Sequence, residues 1–176
     1  MVGKEQNKIM SESLENFTNI VKEDIKEAKT LFFSEAFKEE YLKDRREEKE
    51  LYHQLLLGRN RNQILEEFLL SSGQKKPVLL SAAKTIYQAT IMNLDEPLEI
   101  KVKREGWGYL VGRIKSDGTF LSLHKNTFQA EDFEDGTLTI YADMKTIPKD
   151  GDIDHLIIQT VYQTLQIEVV YKETEK

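Results

Sequence analysis

Apolar residues recur every three or four positions along the chain as far as about Ser72, and every second position from Pro77 to Lys172. A period near 3.6 belongs to helices with one buried face, and a period of 2 to strands with one buried face. The change of period therefore predicts an α+β protein of segregated modules. A helical bundle or hairpin is expected over residues 1–74, followed by an antiparallel β-sandwich over residues 77–173.

Three helices account for the first module. Ser11 or Ser13 is placed to cap a helix whose apolar stripe is Leu14, Phe17, Ile20, Val21, Ile25, Ala28, Leu31 and Phe32. A second is predicted from about Glu35 to Leu57, with Phe33, Phe37, Tyr41 and Leu42 near its start and Leu51, Tyr52, Leu55 and Leu56 near its end. Between those ends, residues 43–50 contain no apolar residue, so this stretch is expected as a solvated helix projecting past its packing partners. Gly58 is the expected left-handed C′ residue. Asn60 with Gln63 forms a capping-box pattern ahead of Ile64, Leu65, Phe68 and Leu69. An extended hairpin of this kind leaves an apolar face for a partner. Phe33, Phe37, Tyr41 and Leu55 are the candidate partner-binding residues, for another protein or for self-association through the helices.

In the second half, Leu98 to Val102, Leu138 to Ala142 and Leu165 to Val169 alternate strictly. Less regular strands are predicted at Val78 to Ser81, Thr85 to Met92, Trp107 to Ile114, Thr119 to His124 and Asp154 to Thr160. Glu105-Gly106, Ser116-Asp117-Gly118, Glu134-Asp135-Gly136 and Lys149-Asp150-Gly151-Asp152 supply residues that tolerate positive φ, so the strands are expected to join as hairpins and short arches. Eight short strands without an intervening crossover helix predict a sandwich rather than a parallel βαβ sheet.

Charge narrows the partners. Twenty-five basic against 31 acidic residues give a net charge of -6, which argues against general nucleic-acid binding, since phosphate neutralisation requires a basic face. Lys22 to Glu50 carries eight cations and ten anions, the mixture of a solvated helix face. No apolar run reaches the roughly 18 residues of a membrane span. There is no cysteine, which removes disulfides, thiolate catalysis and thiolate-bound zinc. With no signal-like apolar stretch in the first residues, the expected location is the cytoplasm.

Candidate chemistry is sparse. His53, His124 and His155 fall on three separate elements and form no His-x-x-x-His or His-x-His spacing of a zinc site. The acidic turns at residues 131–135 and 150–154 offer oxygen ligands, yet the second lacks the distal Glu of an EF-hand, and turn formation is the simpler role for their Asp and Gly. No serine sits in a Gly-x-Ser-x-Gly elbow. The expectation is a non-enzymatic protein without cofactor or metal. Trp107, between Gly106 and Gly108, either fills a sandwich core or stands out as a stacking platform for a sugar ring. With Tyr109 it is the candidate ligand contact, and a glycan the alternative ligand.

The order Val78-Leu79-Leu80-Ser81, Leu98-x-Ile100-x-Val102, Gly106-Trp107-Gly108, Gly112-x-Ile114-x-Ser116-Asp117, Phe120-Leu121, then Leu156-Ile157-Ile158-x-Thr160 and Leu165-x-Ile167-x-Val169 resembles an immunoglobulin-like sandwich. It is most similar to the BACON-type and PapD-like modules related to HYDIN and ASPM. The resemblance covers about Pro77 to Lys172. It implies an interaction module without catalytic residues, of a kind that binds proteins or carbohydrate. The leading expectation is therefore a protein-interaction or scaffolding protein, with a carbohydrate-binding module as the alternative.

Overall fold

A computed structural model describes residues 14–173; the expected Ser11 or Ser13 cap lies outside that range. The described chain divides into two compact units: one holds the residues up to Pro77 together with Trp107–Tyr109, the other Val78–Gly106 and the chain from Leu110 onward.

Among the described residues, five helices occupy the first unit where the periodicity predicts three. They are α1 (residues 14–23), α2 (Ile25–Phe32), α3 (Glu35–Tyr41), α4 (Arg46–Leu55) and α5 (Arg61–Ser71). The first expected helix breaks at Asp24, whose backbone is extended (φ -147°, ψ 92°) and whose carboxylate accepts the Glu27 N–H at 3.1 Å. Aspartate is a poor helix interior and a strong N-cap, so the apolar stripe continues across a corner. The second breaks over residues 42–45, and the expected solvated helix at 43–50 forms only from Arg46. Leu42 ends α3 fully buried, so the break keeps an apolar residue inside that a straight charged helix would carry away.

The apolar faces of all five helices meet in one core built of rings. Phe17, Phe32, Phe37, Tyr52 and Phe68 are at most 2 % exposed, and Phe37 lies 4.7 Å from Phe17 and 4.9 Å from Phe32 in edge contacts. The Tyr52 hydroxyl donates to the Phe32 carbonyl, which gives the buried phenol its partner. Asn60 caps α5 as its spacing predicts, accepting the Gln63 N–H at 3.1 Å. Gly58 is not left-handed; that role falls to Gly73 (φ 78°). There, Gly73 N–H to Leu70 O and Gln74 N–H to Leu69 O close a Schellman motif.

Nine strands form the second unit: β1 (Leu79–Ala82), β2 (Ile86–Ala89), β3 (Leu98–Glu105), β4 (Val111–Ser116), β5 (Leu121–Leu123), β6 (Thr127–Gln129), β7 (Thr137–Met144), β8 (Ile153–Gln159) and β9 (Thr164–Tyr171). They make a four-stranded sheet, β1-β3-β7-β5, and a five-stranded sheet, β2-β9-β8-β4-β6. The alternating residues Ile100, Val102, Leu138, Ile140, Ile167 and Val169 all face the core between them. Two features depart from the expected antiparallel sandwich. Trp107–Tyr109 is not strand, so β4 starts at Val111, and β2 runs parallel to β9, pairing Ile86 with Glu168 and Ala89 with Tyr171. The positive-φ turns form as expected at Gly106, Gly118, Asp135-Gly136 and Gly151. They are nearly all arches, since seven of the eight strand connections pass from one sheet to the other and only β8–β9 is a hairpin within a sheet.

One polar group serves this crossing directly. Asp154 points inward from β8 and is fully buried, accepting N–H groups from Asp117 (3.1 Å), Phe120 (3.1 Å) and Leu121 (3.0 Å). Those donors lie along the passage from β4 to β5, which gains its anchor from the neighbouring strand.

Candidate functional site

Trp107 belongs to the helical core. Its ring is half-buried against that cluster, with the Lys75 ammonium 4.4 Å and the Lys22 ammonium 5.0 Å from its centroid. Lys75 also donates to the Trp107 carbonyl and to Glu66 Oε1, and the Lys75 and Glu66 side chains are 1 % and 3 % exposed. Burying two charges costs several kcal/mol per ion, which only good geometry and added hydrogen bonds offset. Lys75 meets that condition by combining a carboxylate, a carbonyl and an aromatic face. The flanking glycines are required: Gly106 and Gly108 sit at φ 102° and 101°, and a Cβ at Gly108 would lie 2.7 Å from Lys75 Nζ. Asn60 donates to the Tyr109 hydroxyl at 3.3 Å. Trp107 and Tyr109 are thus engaged by the helices. Glu66 and Lys75, the pair that makes this possible, carry no sequence signal that separates them from the other charged residues beside them.

The four helical candidates divide. Phe37 is fully buried and is taken up by the core. Phe33, Tyr41 and Leu55 are half-buried against it, Phe33 beneath the Arg61 guanidinium at 4.1 Å and Tyr41 stacked on Phe37 at 5.2 Å. Burial, and then the nearby Glu40 and Glu27 charges, raise the Tyr41 phenol above its ordinary pKa.

The histidines remain apart. His53 is exposed on α4; His124 Nε2 lies 2.9 Å from Asp143, and His155 Nδ1 lies 2.7 Å from Asp117. In the acidic turns the carboxylates serve the backbone. Asp132 accepts from Gln129 N–H, Asp152 from Lys149 N–H and Asp150 from Glu173 N–H. Among the described residues, no three His, Asp or Glu side chains gather as a metal site.

The exposed apolar side chains supply a different candidate. Between β2 and β3 a 3₁₀ turn, Ile91–Leu94, presents Ile91 (45 % exposed), Met92 (60 %) and Leu94 (40 %) to solvent. The turn is held by a capping box in which Asn93 accepts the Thr90 N–H at 2.9 Å. It packs against β7; the loop that leaves β7 carries a further exposed apolar residue, Ile147, 62 % exposed. The chain leaves β9 at this same end: Lys172 N–H bonds Ala89 O, Gly151 N–H bonds Tyr171 O and Glu173 N–H bonds Asp150. Sequence periodicity misses this group, because Thr85 to Met92 reads as one strand although Ala89 ends it.

The description "Family of unknown function (DUF5717) N-terminal" matches residues 2–176. No curated protein matches the chain. Among solved structures, the E. coli chaperone DraB is 8 % identical (TM-score 0.42; 54 % of this chain, 55 % of that one). Domains 4 and 5 of the S-layer protein SbsC are 10 % identical (TM-score 0.38; 53 % and 51 %), and the M1 domain from titin is 8 % identical (TM-score 0.33; 55 % and 95 %). The chain spans about half the length of the first two.

Proposed function

The chain belongs to the DUF5717 N-terminal family, and we propose that it is a non-enzymatic interaction module whose contact surface is the end of the sandwich bearing Ile91, Met92, Leu94 and Ile147. The observation that carries this reading is the doubly capped turn. Apolar side chains scattered singly on a surface are ordinary, but here three sit on one short turn whose backbone a capping box fixes, so the backbone that presents them is ordered before any partner arrives. Order in advance lowers the entropic cost of association. The likeness of β3, β8 and β9 to BACON-type and PapD-like modules, which implies binding rather than catalysis, belongs to the same reading, as does a cytoplasmic location.

Site-specific photo-crosslinking in the producing cell tests it. A photoreactive residue at Met92 or Ile147 is expected to give discrete adducts, and one at the exposed Lys101 on β3 is not. Equal, diffuse labelling at all three positions removes the reading.

A further inference from the structure

A free strand edge is a template for pairing with another chain. β1 is an outer strand of the four-stranded sheet, paired with β3 on one side, so its other side faces no strand of that sheet. We infer that Gln163 keeps this edge shut: its side-chain amide stands where the β1 strand of a second copy of the chain would pair.

The ladder fixes which groups face outward. The Ala83 N–H donates to the Lys101 carbonyl at 3.1 Å, and bonded pairs in an antiparallel ladder come at every second residue. Ser81 with Lys103 and Leu79 with Glu105 are therefore the bonded pairs, and the N–H and C=O groups of Leu80 and Ala82 point away from β3. Gln163, in the turn between β8 and β9, meets both groups of Leu80: its Oε1 accepts the N–H at 2.8 Å and its Nε2 donates to the carbonyl at 2.7 Å. A carboxamide offers an acceptor and a donor side by side, as the backbone of a neighbouring strand does. The turn that carries it is held in place, the Thr160 N–H donating to the Gln163 carbonyl at 2.8 Å. Without the amide the edge is self-complementary. Two copies laid antiparallel about Ser81 bond Leu80 of each to Ala82 of the other, each pair exchanging both its hydrogen bonds. The outer strands β5 and β6 are blunted by their length of 3 residues; β1 is blunted by a side chain.

Disulfide trapping tests this. The chain has no cysteine, so Ser81→Cys supplies a single thiol. In the paired register that position faces itself with Cα atoms about 4.5 Å apart, within the roughly 4.4–6.8 Å that a disulfide spans. Gln163→Met keeps the length of the side chain without its amide, and Gln163→Ala removes both. Either change, added to Ser81→Cys in the full chain, opens the edge and is expected to speed disulfide-linked dimer formation under mild oxidation at least about tenfold, with the far-ultraviolet circular dichroism unchanged. In the cysteine-free chain, Gln163→Met is expected to sediment as a concentration-dependent dimer, and as a monomer once Ser81→Lys is added, since like charges directly opposite each other repel. A trapping rate no faster than that of Ser81→Cys alone overturns the proposal, as does a dimer that survives Ser81→Lys. Loss of the fold in both Gln163 variants overturns it as well, because Gln163 is then a contact the sandwich needs in order to form.

Discussion

Replacing Asp154 by alanine strands three backbone donors at once. Phe120 and Leu121 are buried, so their N–H groups gain no water in exchange, while the Asp117 N–H is partly open to solvent. An orphaned buried donor costs about 1–3 kcal/mol. Two such donors near the middle of that range, with a third near its lower end, bring the expected loss for Asp154→Ala to about 4–5 kcal/mol. That is a large share of the ~5–15 kcal/mol by which domains are stable. Asparagine separates the causes. Its carbonyl oxygen can replace the carboxylate oxygen shared by Phe120 and Leu121, but its amide then faces the Asp117 N–H, donor against donor. Asp154→Asn is therefore expected to cost about 2 kcal/mol. Because Trp107 clusters with the helices, tryptophan fluorescence reports the other unit, and the suitable assay is native-state hydrogen exchange read at the Phe120 and Leu121 amides alongside urea unfolding followed by far-ultraviolet circular dichroism. A loss below about 1 kcal/mol in the alanine variant, or equal losses in both variants, refutes the reasoning.

Four further outcomes are expected. At Gly112 a Cβ would stand 2.2 Å from the Phe128 ring and 2.7 Å from the Gln159 carbonyl, so Gly112→Ala should destabilise the sandwich by about 2–3 kcal/mol, with partial recovery on adding Phe128→Leu; simple additivity in urea unfolding would contradict it. Lys75→Met removes the cation that pairs with the buried Glu66 carboxylate and should cost the helical unit about 3–5 kcal/mol, and adding Glu66→Leu should restore at least half, as read by Trp107 emission during denaturation. Gly73→Ala forces a non-glycine residue into φ 78° and should lower helical stability by about 1 kcal/mol, measured by thermal unfolding. Burial raises the Tyr52 phenol above its ordinary pKa, so the folded state holds that proton more tightly. The resulting stability is present below about pH 10 and is lost as pH rises from there through the folded value; Tyr52→Phe should flatten that part of a pH series of unfolding midpoints.

Much of the architecture was legible because burial imposes its period on the chain. Leu98, Ile100 and Val102 had to share a face, as did Leu165, Ile167 and Val169, and the glycine-marked turns between strands fell where positive φ was required. What stayed hidden depended on partners distant in sequence. Asp24 reads as one more charged residue in a helical stripe until its carboxylate is seen capping a new helix. β6 has only Phe128 facing inward, too little alternation to count as a strand. Trp107 lies between two strands in the chain, yet its position follows from a lysine 32 residues earlier. The first half of the apolar turn, Ile91 and Met92, reads as the end of the strand expected from Thr85, since apolar content without alternation does not distinguish an exposed turn from a buried run.

The order of strands in the five-stranded sheet also has a consequence during synthesis. Its central members, β8 and β9, are the last two made, while β2, their neighbour at one edge, is among the first. As the chain emerges from the ribosome, β2 has no partner until Thr164–Tyr171 follows it out, and β4 has only the three-residue β6. The sheet therefore cannot grow strand by strand from its N-terminal end. It closes in a single late step, when the final hairpin inserts between strands that have been waiting, and a nascent chain halted before Ile153 holds every turn of the arches but lacks the middle of its sheet.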